Sequence, residues 1–350
     1  MAKPNPQPIK PQRYLREWCK ERGLDLFITL GGMVAVLLAT IYLHFWAPAS
    51  LTKDTKVVVI PPGKSFHEIA RILEDQGIIR DRRSFYLLAR IEGSLSKVKA
   101  GEYEVHTQMT PGTVLSKLIR GEVIQYPIII PEGHNLYQIG EILDRAKVCS
   151  QKLFLEKVRD PDLIQSLALE GDSLEGYLFP DTYNFPKGLG EEPVIRQMVS
   201  RFKTVWGSLA RRAEEMGLSR REVVILASMI EKEARDDQER RFIAAVFHNR
   251  LNRGMALQSD PTAVYGLKEK RSSITRGDLQ RRTPYNTYII SGLPKGPIAN
   301  PGFKSLQAVL YPAEVNYLYF VSKNDGTHFF SSTLQEHNLA VAKYQKKGKK

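Results

Sequence analysis

Residues 26–47 read Leu-Phe-Ile-Thr-Leu-Gly-Gly-Met-Val-Ala-Val-Leu-Leu-Ala-Thr-Ile-Tyr-Leu-His-Phe-Trp-Ala, without an Asp, Glu, Lys or Arg. At about 1.5 Å per residue a helix of this length covers a hydrocarbon core of roughly 30 Å. The stretch predicts a transmembrane helix and divides the chain into a short leader on one side of a bilayer and a long body on the other. Lys3, Lys10, Arg13, Arg16, Lys20 and Arg22 come before it, whereas only Lys53 and Lys56 stand close behind it. That asymmetry puts the N-terminus in the cytoplasm and everything after Ala47 outside. Tyr42, Phe45 and Trp46 stand where aromatic side chains anchor the outer interface. Ala47-Pro-Ala49 resembles a signal-cleavage site, but the apolar run exceeds the about 7–15 residues of a signal core and comes after a long basic leader, which favours a retained single-pass anchor.

The 350 residues carry a net charge of +13. In an exported protein this balance does not point to nucleic acid. The basic leader faces anionic lipid, and Lys343, Lys346, Lys347, Lys349 and Lys350 form a solvated tail. Cys19 is placed inside and Cys149 outside, which excludes an internal disulfide and a cysteine-based metal site in the exported part. No metal-binding spacing and no phosphate-binding glycine loop occurs, so no cofactor is expected.

Beyond the linker 48–55 the chain repeats itself. Ile60-Pro-Pro-Gly-Lys-Ser-Phe-His-Glu-Ile-Ala-Arg-Ile-Leu73 aligns without gaps to Ile130-Pro-Glu-Gly-His-Asn-Leu-Tyr-Gln-Ile-Gly-Glu-Ile-Leu143. Each copy predicts a strand, a Pro-x-Gly turn and a capped helix, with Ser65 and Glu68 forming a capping box in the first. Val57-Val-Val-Ile60 reads as a buried strand and Gly101-Glu-Tyr-Glu-Val105 as another. The pattern resembles LysM-like glycan-binding modules, in a region placed at 56–149; a packing device with no ligand is the competing reading.

Ser219 with Glu222 predicts a helix through Ala234, and a further helix begins near Asp236 or Asp237 and stops at Gly254. Leu318–Ser322 and 327–331, joined by Lys-Asn-Asp-Gly, predict a β-hairpin. On the helix of Val223, Val224, Ile225, Leu226, Met229 and Ile230 no polar face is visible, so burial on all sides is expected. Glu231 and Glu233 at its end lie about 200° apart around the axis and cannot share one site. Glu231 stands above the small residues Ala227 and Ser228, which favours it as the carboxyl beside a ligand. Desolvation would raise the pKa of such a group and let it protonate a leaving oxygen. A surface pairing of each Glu with Lys232, Arg235 or Arg241 is the structural alternative.

Leu174-Glu-Gly-Tyr-Leu-Phe-Pro-Asp-Thr-Tyr183, Ala227-Ser-Met-Ile-Glu-Lys-Glu233, Phe247-His-Asn-Arg-Leu251, Leu257-Gln-Ser-Asp-Pro-Thr262, Tyr285-Asn-Thr-Tyr288 and Gly292-Leu-Pro-Lys-Gly-Pro-Ile-Ala-Asn-Pro-Gly302 occur in this order. Together they resemble the endolytic murein transglycosylase (MltG, YceG-like) family. The resemblance implies a lyase that cleaves the MurNAc-GlcNAc β-1,4 bond within nascent peptidoglycan strands, leaves 1,6-anhydroMurNAc ends, and sets strand length. It places the catalytic role on Glu231. Gln258, Ser259, Asp260, Thr262, Tyr285, Asn286 and Tyr288 are the candidates for holding sugar, being hydroxyl, amide, carboxyl and aromatic groups that match a saccharide. His248 replaces the family's usual aliphatic residue, with consequences for packing.

The expected protein is therefore α+β: a cytoplasmic leader at 1–25, a transmembrane helix at 26–47, a LysM-like strand–helix region at 56–149, a catalytic domain with a helical core at 150–345 and a basic tail at 346–350. It would sit in the cytoplasmic (inner) membrane with its catalytic domain on the periplasmic or external side. Its partners would be glycan strands and, by the resemblance, peptidoglycan synthases. Two alternatives remain open. One is a non-catalytic glycan-binding scaffold; the other is a muramidase-type hydrolase in which Asp260 activates water.

Overall fold

The computed structural model describes the backbone of residues 11–267 and 274–345, with side chains from Asp25 onward, apart from Gly23, which has none. The basic tail 346–350 and the first ten residues of the leader lie outside the described residues. Helix α1 spans Pro11–Phe45, and its apolar part, Asp25–Phe45, is exposed along nearly its whole length. Among the described residues it alone is long and apolar enough to cross a membrane.

The chain divides into two compact units, Met1–Ile124, which includes α1, and Gln125–Lys350. In the first, β1 (Thr55–Ile60), α2 (Phe66–Asp75), α3 (Arg82–Ile91), β2 (Gly101–His106) and α4 (Pro111–Arg120) succeed one another. Strands β1 and β2 pair antiparallel with Val58 opposite Tyr103. Ser65 and Glu68 make the expected reciprocal capping box at α2. The strand reading needs one correction. Val58 and Ile60 are in the core, but Val57 and Val59 are 54% and 49% exposed, because the helices cover only one face of a two-stranded sheet.

The second unit opens with the second repeat copy. Strand β3 (Tyr126–Ile129) leads to α5 (Leu136–Arg145), α6 (Gln151–Lys157), α7 (Pro161–Ser166) and β4 (Thr182–Phe185). Asn135 and Gln138 form a capping box at α5, and the repeat glycines Gly63 and Gly133 both have left-handed backbones, with φ 77° and 72°. Strand β3 pairs with β4, Tyr126 opposite Phe185. The second copy is thus completed by residues beyond 149, the boundary expected from composition, and its hydrophobic side merges with the core of the larger unit.

The chain continues through α8 (Glu191–Gly207), α9 (Ala210–Glu215), α10 (Arg220–Glu233), a 3-10 turn at Asp237–Glu239, α11 (Arg240–Asn252), α12 (Asp260–Val264), α13 (Arg276–Leu279), α14 (Phe303–Leu310), β5 (Tyr319–Ser322), β6 (His328–Ser331) and α15 (Leu334–Tyr344). Strands β5 and β6 form the expected hairpin. The fold is α+β, with α10 at its centre: every residue from Val223 to Ile230 is buried.

Candidate active site

The sequence forces α10 into the core and then lets its end emerge. Eight apolar or small residues leave no face for water, the Ser219–Glu222 capping box secures the start, and the backbone turns extended at Ala234. Gly176 permits the Leu174–Tyr177 loop to lie against this helix. Its φ is 86°, and a Cβ there would come 2.6 Å from Val224 Cγ1 and from Pro297 Cγ.

The two carboxylates at the helix end have different surroundings. Glu231 Oε1 accepts from Arg240 Nη1 at 3.0 Å and Oε2 from the Gly302 N–H at 3.0 Å. The two side chains of this ion pair are only 6% (Glu231) and 9% (Arg240) exposed. Arg240 also donates to Asp237 and Ser305. A Cβ on Gly302 would overlap the Glu132 carboxyl, so this second acid sits beside the same loop. Burial, with the Glu231 charge adding to it, raises the Glu132 pKa. Glu231 is thus the hub of a closed charge network, and its partner is Arg240 rather than the Lys232, Arg235 or Arg241 weighed from spacing.

Glu233 faces the other way, accepting from Ser259 Oγ at 2.6 Å. Burial pushes its carboxyl from 4.5 up to about 7; the Ser259 hydrogen bond opposes this and the Asp260 charge adds to it. Glu233 remains partly exposed, and among the described residues no cation hydrogen-bonds to it. Asp260 at the head of α12 is exposed and accepts from Tyr288 Oη at 2.5 Å.

The predicted sugar-binding residues divide accordingly. Ser259, Asp260 and Tyr288 gather about Glu233, whereas the Gln258 amide oxygen accepts from Arg250. Gln258 is exposed, carries a left-handed φ of 48°, and is held by its N–H to the Thr287 carbonyl. Thr262 and Asn286 are fully buried. Thr262 Oγ1 binds the Ser259 carbonyl and Thr287, and Asn286 Nδ2 binds the Leu279 and Arg281 carbonyls. These two shape the loops and present no polar atom to a ligand. Tyr285 lies elsewhere, against Tyr265 with ring centroids 4.7 Å apart.

Sequence reasoning passed over Glu175, Arg240 and Asn300. Glu175 is 1% exposed and accepts from the Leu136 N–H, Tyr265 Oη and Asn300 Nδ2. Burial pushes it up to about 7, against those donors. Asn300 also donates to the His134 carbonyl and accepts from the Leu178 N–H, fastening the Gly133 turn to the core. Both Glu175 and Asn300 stand inside segments that carry the family resemblance, which was the available signal. His248 makes a packing contact, one ring nitrogen donating to the Val309 carbonyl at 2.9 Å. Among the described residues no group of three or more His, Cys, Asp or Glu is arranged for a metal ion.

The architecture defines a class: an α+β body behind a helix of membrane-crossing length, with a pKa-raised acid at the end of a buried helix and hydroxyl and aromatic groups around it. The chain belongs to the YceG-like family, whose model matches residues 58–343. It is 34% identical over 311 residues to the "Endolytic murein transglycosylase" of Bacillus subtilis, covering 83% of this chain and 86% of that protein. A Streptococcus pneumoniae protein of the same name is 28% identical over 325 residues; the match covers 84% of this chain and 59% of the longer relative. The crystal structure of a YceG-like protein from Listeria monocytogenes superposes with a TM-score of 0.58 at 34% identity, over 82% of this chain and 99% of that one.

Proposed function

We propose that this protein is an endolytic lytic transglycosylase of peptidoglycan, with Glu233 as its acid/base. The observation that carries the residue assignment is the contrast at the end of α10. Burial pushes the Glu233 carboxyl up to about 7 and among the described residues no cation hydrogen-bonds to it, whereas Glu231 is ion-paired with Arg240 and its side chain is only 6% exposed. The resemblance assigns the acid to the first carboxyl of the Glu-Lys-Glu motif, Glu231, and that assignment is the alternative that the Glu231→Gln and Glu233→Gln proteins test.

Protonated Glu233 gives its proton to the oxygen between MurNAc and GlcNAc as the C1–O bond breaks. The leaving GlcNAc keeps that oxygen as a hydroxyl. The substrate's acetamido group supports the electron-poor C1, and the MurNAc 6-hydroxyl then attacks it. Glu233, now a carboxylate, takes the hydroxyl proton and returns to its starting state. The product is a 1,6-anhydroMurNAc end, and no water is consumed. One carboxyl suffices, in contrast to the pair that hydrolytic glycosidases use. Ser259 holds Glu233 in place, and burial, with the Asp260 charge adding to it, raises the Glu233 pKa; Tyr288 occupies the Asp260 carboxylate by hydrogen bonding, which supports the lyase over a hydrolase. Gln258, which is exposed, and Tyr288, which is half-buried, are the candidates for contact with sugar hydroxyls.

The basic leader and apolar helix support a single-pass anchor with the N-terminus in the cytoplasm and the enzyme on the outer face of the cytoplasmic membrane, where nascent strands emerge and synthases work. The LysM-like character of the repeat units supports glycan contact by both. The test is cleavage of uncrosslinked glycan strands in isotopically labelled water, with products read by mass spectrometry. Unlabelled anhydro ends are expected. Labelled reducing ends would make the protein a hydrolase, and intact strands that still bind would make it a scaffold.

A further inference from the structure

A cleft of ≈ 550 Å³ lies in the larger unit between α5 of the second repeat copy and the segment just after α12. Asn135, Tyr137 and Gln138 form one wall; Tyr265 and Ile298 form the other, with Lys232 at the edge. Its size falls within the about 300–1,000 Å³ of small-ligand pockets. Among its lining residues Lys232 stands between Glu231 and Glu233 in the chain and Pro261 follows Asp260, so the cleft lies at the end of α10 and the head of α12.

The two walls are tied by one buried group. Glu175 Oε2 accepts from the Leu136 N–H of α5 at 3.2 Å and from Tyr265 Oη at 2.9 Å. Its Oε1 accepts from Asn300, which also holds the His134 carbonyl ahead of α5. The cleft is therefore preformed, and its width is set by side chains that the chemistry at Glu233 does not consume. Tyr137 is 44% exposed and carries Arg159 over its ring, 5.4 Å from the centroid. Amide groups of Asn135 and Gln138, an ammonium group and two tyrosines match the acetamido, hydroxyl and apolar faces of amino sugars.

We infer that this cleft is an N-acetylhexosamine subsite flanking the scissile bond, with Tyr137 as a stacking platform, and that the second repeat copy serves as a wall of the enzyme's own substrate groove. The inference rests on the proposed transglycosylase reading, because an enzyme that cuts within a strand must grip sugars beyond the bond it breaks. Glu175 is a positioning residue here: it holds Tyr265 and α5 and touches no reacting atom.

The test uses the full chain in detergent micelles. An N-acetylglucosamine tetramer is titrated into the Glu233→Gln protein by calorimetry, with and without Tyr137→Ala or Tyr137→Phe. Strand cleavage kinetics are measured in the corresponding proteins that retain Glu233. Loss of the ring should weaken tetramer binding about tenfold and raise KM with kcat preserved, and Phe should restore both. Failure of the tetramer to bind, or binding and KM indifferent to Tyr137→Ala, would overturn the subsite even if the parent chain makes anhydro ends. Absence of anhydro ends from the parent, with tetramer binding that still depends on Tyr137, would instead refute the transglycosylase reading and leave a glycan-binding cleft.

Discussion

In the proposed mechanism protonated Glu233 breaks the glycosidic bond, so the rate should track its titration. With a pKa near 7, kcat/KM for strand cleavage is expected to fall about tenfold per pH unit above neutrality, and a profile flat to pH 9 would rule out this acid. Glu175 gives a stability signature of its own. Its carboxyl is raised from 4.5 to about 7 in the native state, so the folded chain holds the proton more tightly than the unfolded chain. The resulting stabilisation is complete below the unfolded value, declines as pH rises from about 4.5, and is gone above about 7. It amounts to on the order of 3 kcal/mol. Urea denaturation across this window should show a shallower pH dependence in Glu175→Gln than in the parent. The different surroundings of Glu231 and Glu233 were not legible in the sequence. Periodicity put them on opposite faces, but the groups that hold Glu231 lie 9 and 71 positions away, at Arg240 and Gly302.

At the scale of elements, α10 depends on a close approach more than on its cap. Ser219→Ala removes an exposed capping hydroxyl and is expected to cost about 1 kcal/mol. Gly176→Ala forces a left-handed residue to carry a Cβ into Val224 and Pro297, and should cost more, on the order of 2–4 kcal/mol. Thermal unfolding that ranked the two in the opposite order would contradict this packing. Removing Glu231 altogether, as in Glu231→Ala, leaves Arg240 buried without its main partner and is expected to cost about 3–5 kcal/mol. Capping boxes at α2 and α10 and the final hairpin were readable because their signals span a few adjacent residues. Strand β4 was not: its partner β3 lies across three helices, and only the pairing of Tyr126 with Phe185 reveals that the second repeat copy closes on itself. The valine run at β1 misled for a related reason, since continuous apolar residues do not disclose that a sheet has a bare face.

Across the whole molecule, the anchor and the enzyme are expected to separate. Residues 48–350 alone should cleave uncrosslinked strands in solution, while a reporter that is active only outside the cytoplasm should work when fused to the C-terminus of the full chain. An inactive reporter, with the fusion intact in the membrane, would reverse the orientation read from the basic leader. Fold class, the helix of membrane-crossing length and family were legible because they rest on long segments: an uncharged apolar run, a gapless repeat and six ordered motifs. The measurement that bears most directly on the account is mass spectrometry of strand ends produced by the parent, Glu231→Gln and Glu233→Gln proteins, each first shown to be folded. Anhydromuramyl ends from the parent and from Glu231→Gln, with none from Glu233→Gln, are the predicted result. Anhydromuramyl ends that persist in Glu233→Gln and vanish in Glu231→Gln would return the acid to the first carboxyl and contradict the reading of the site.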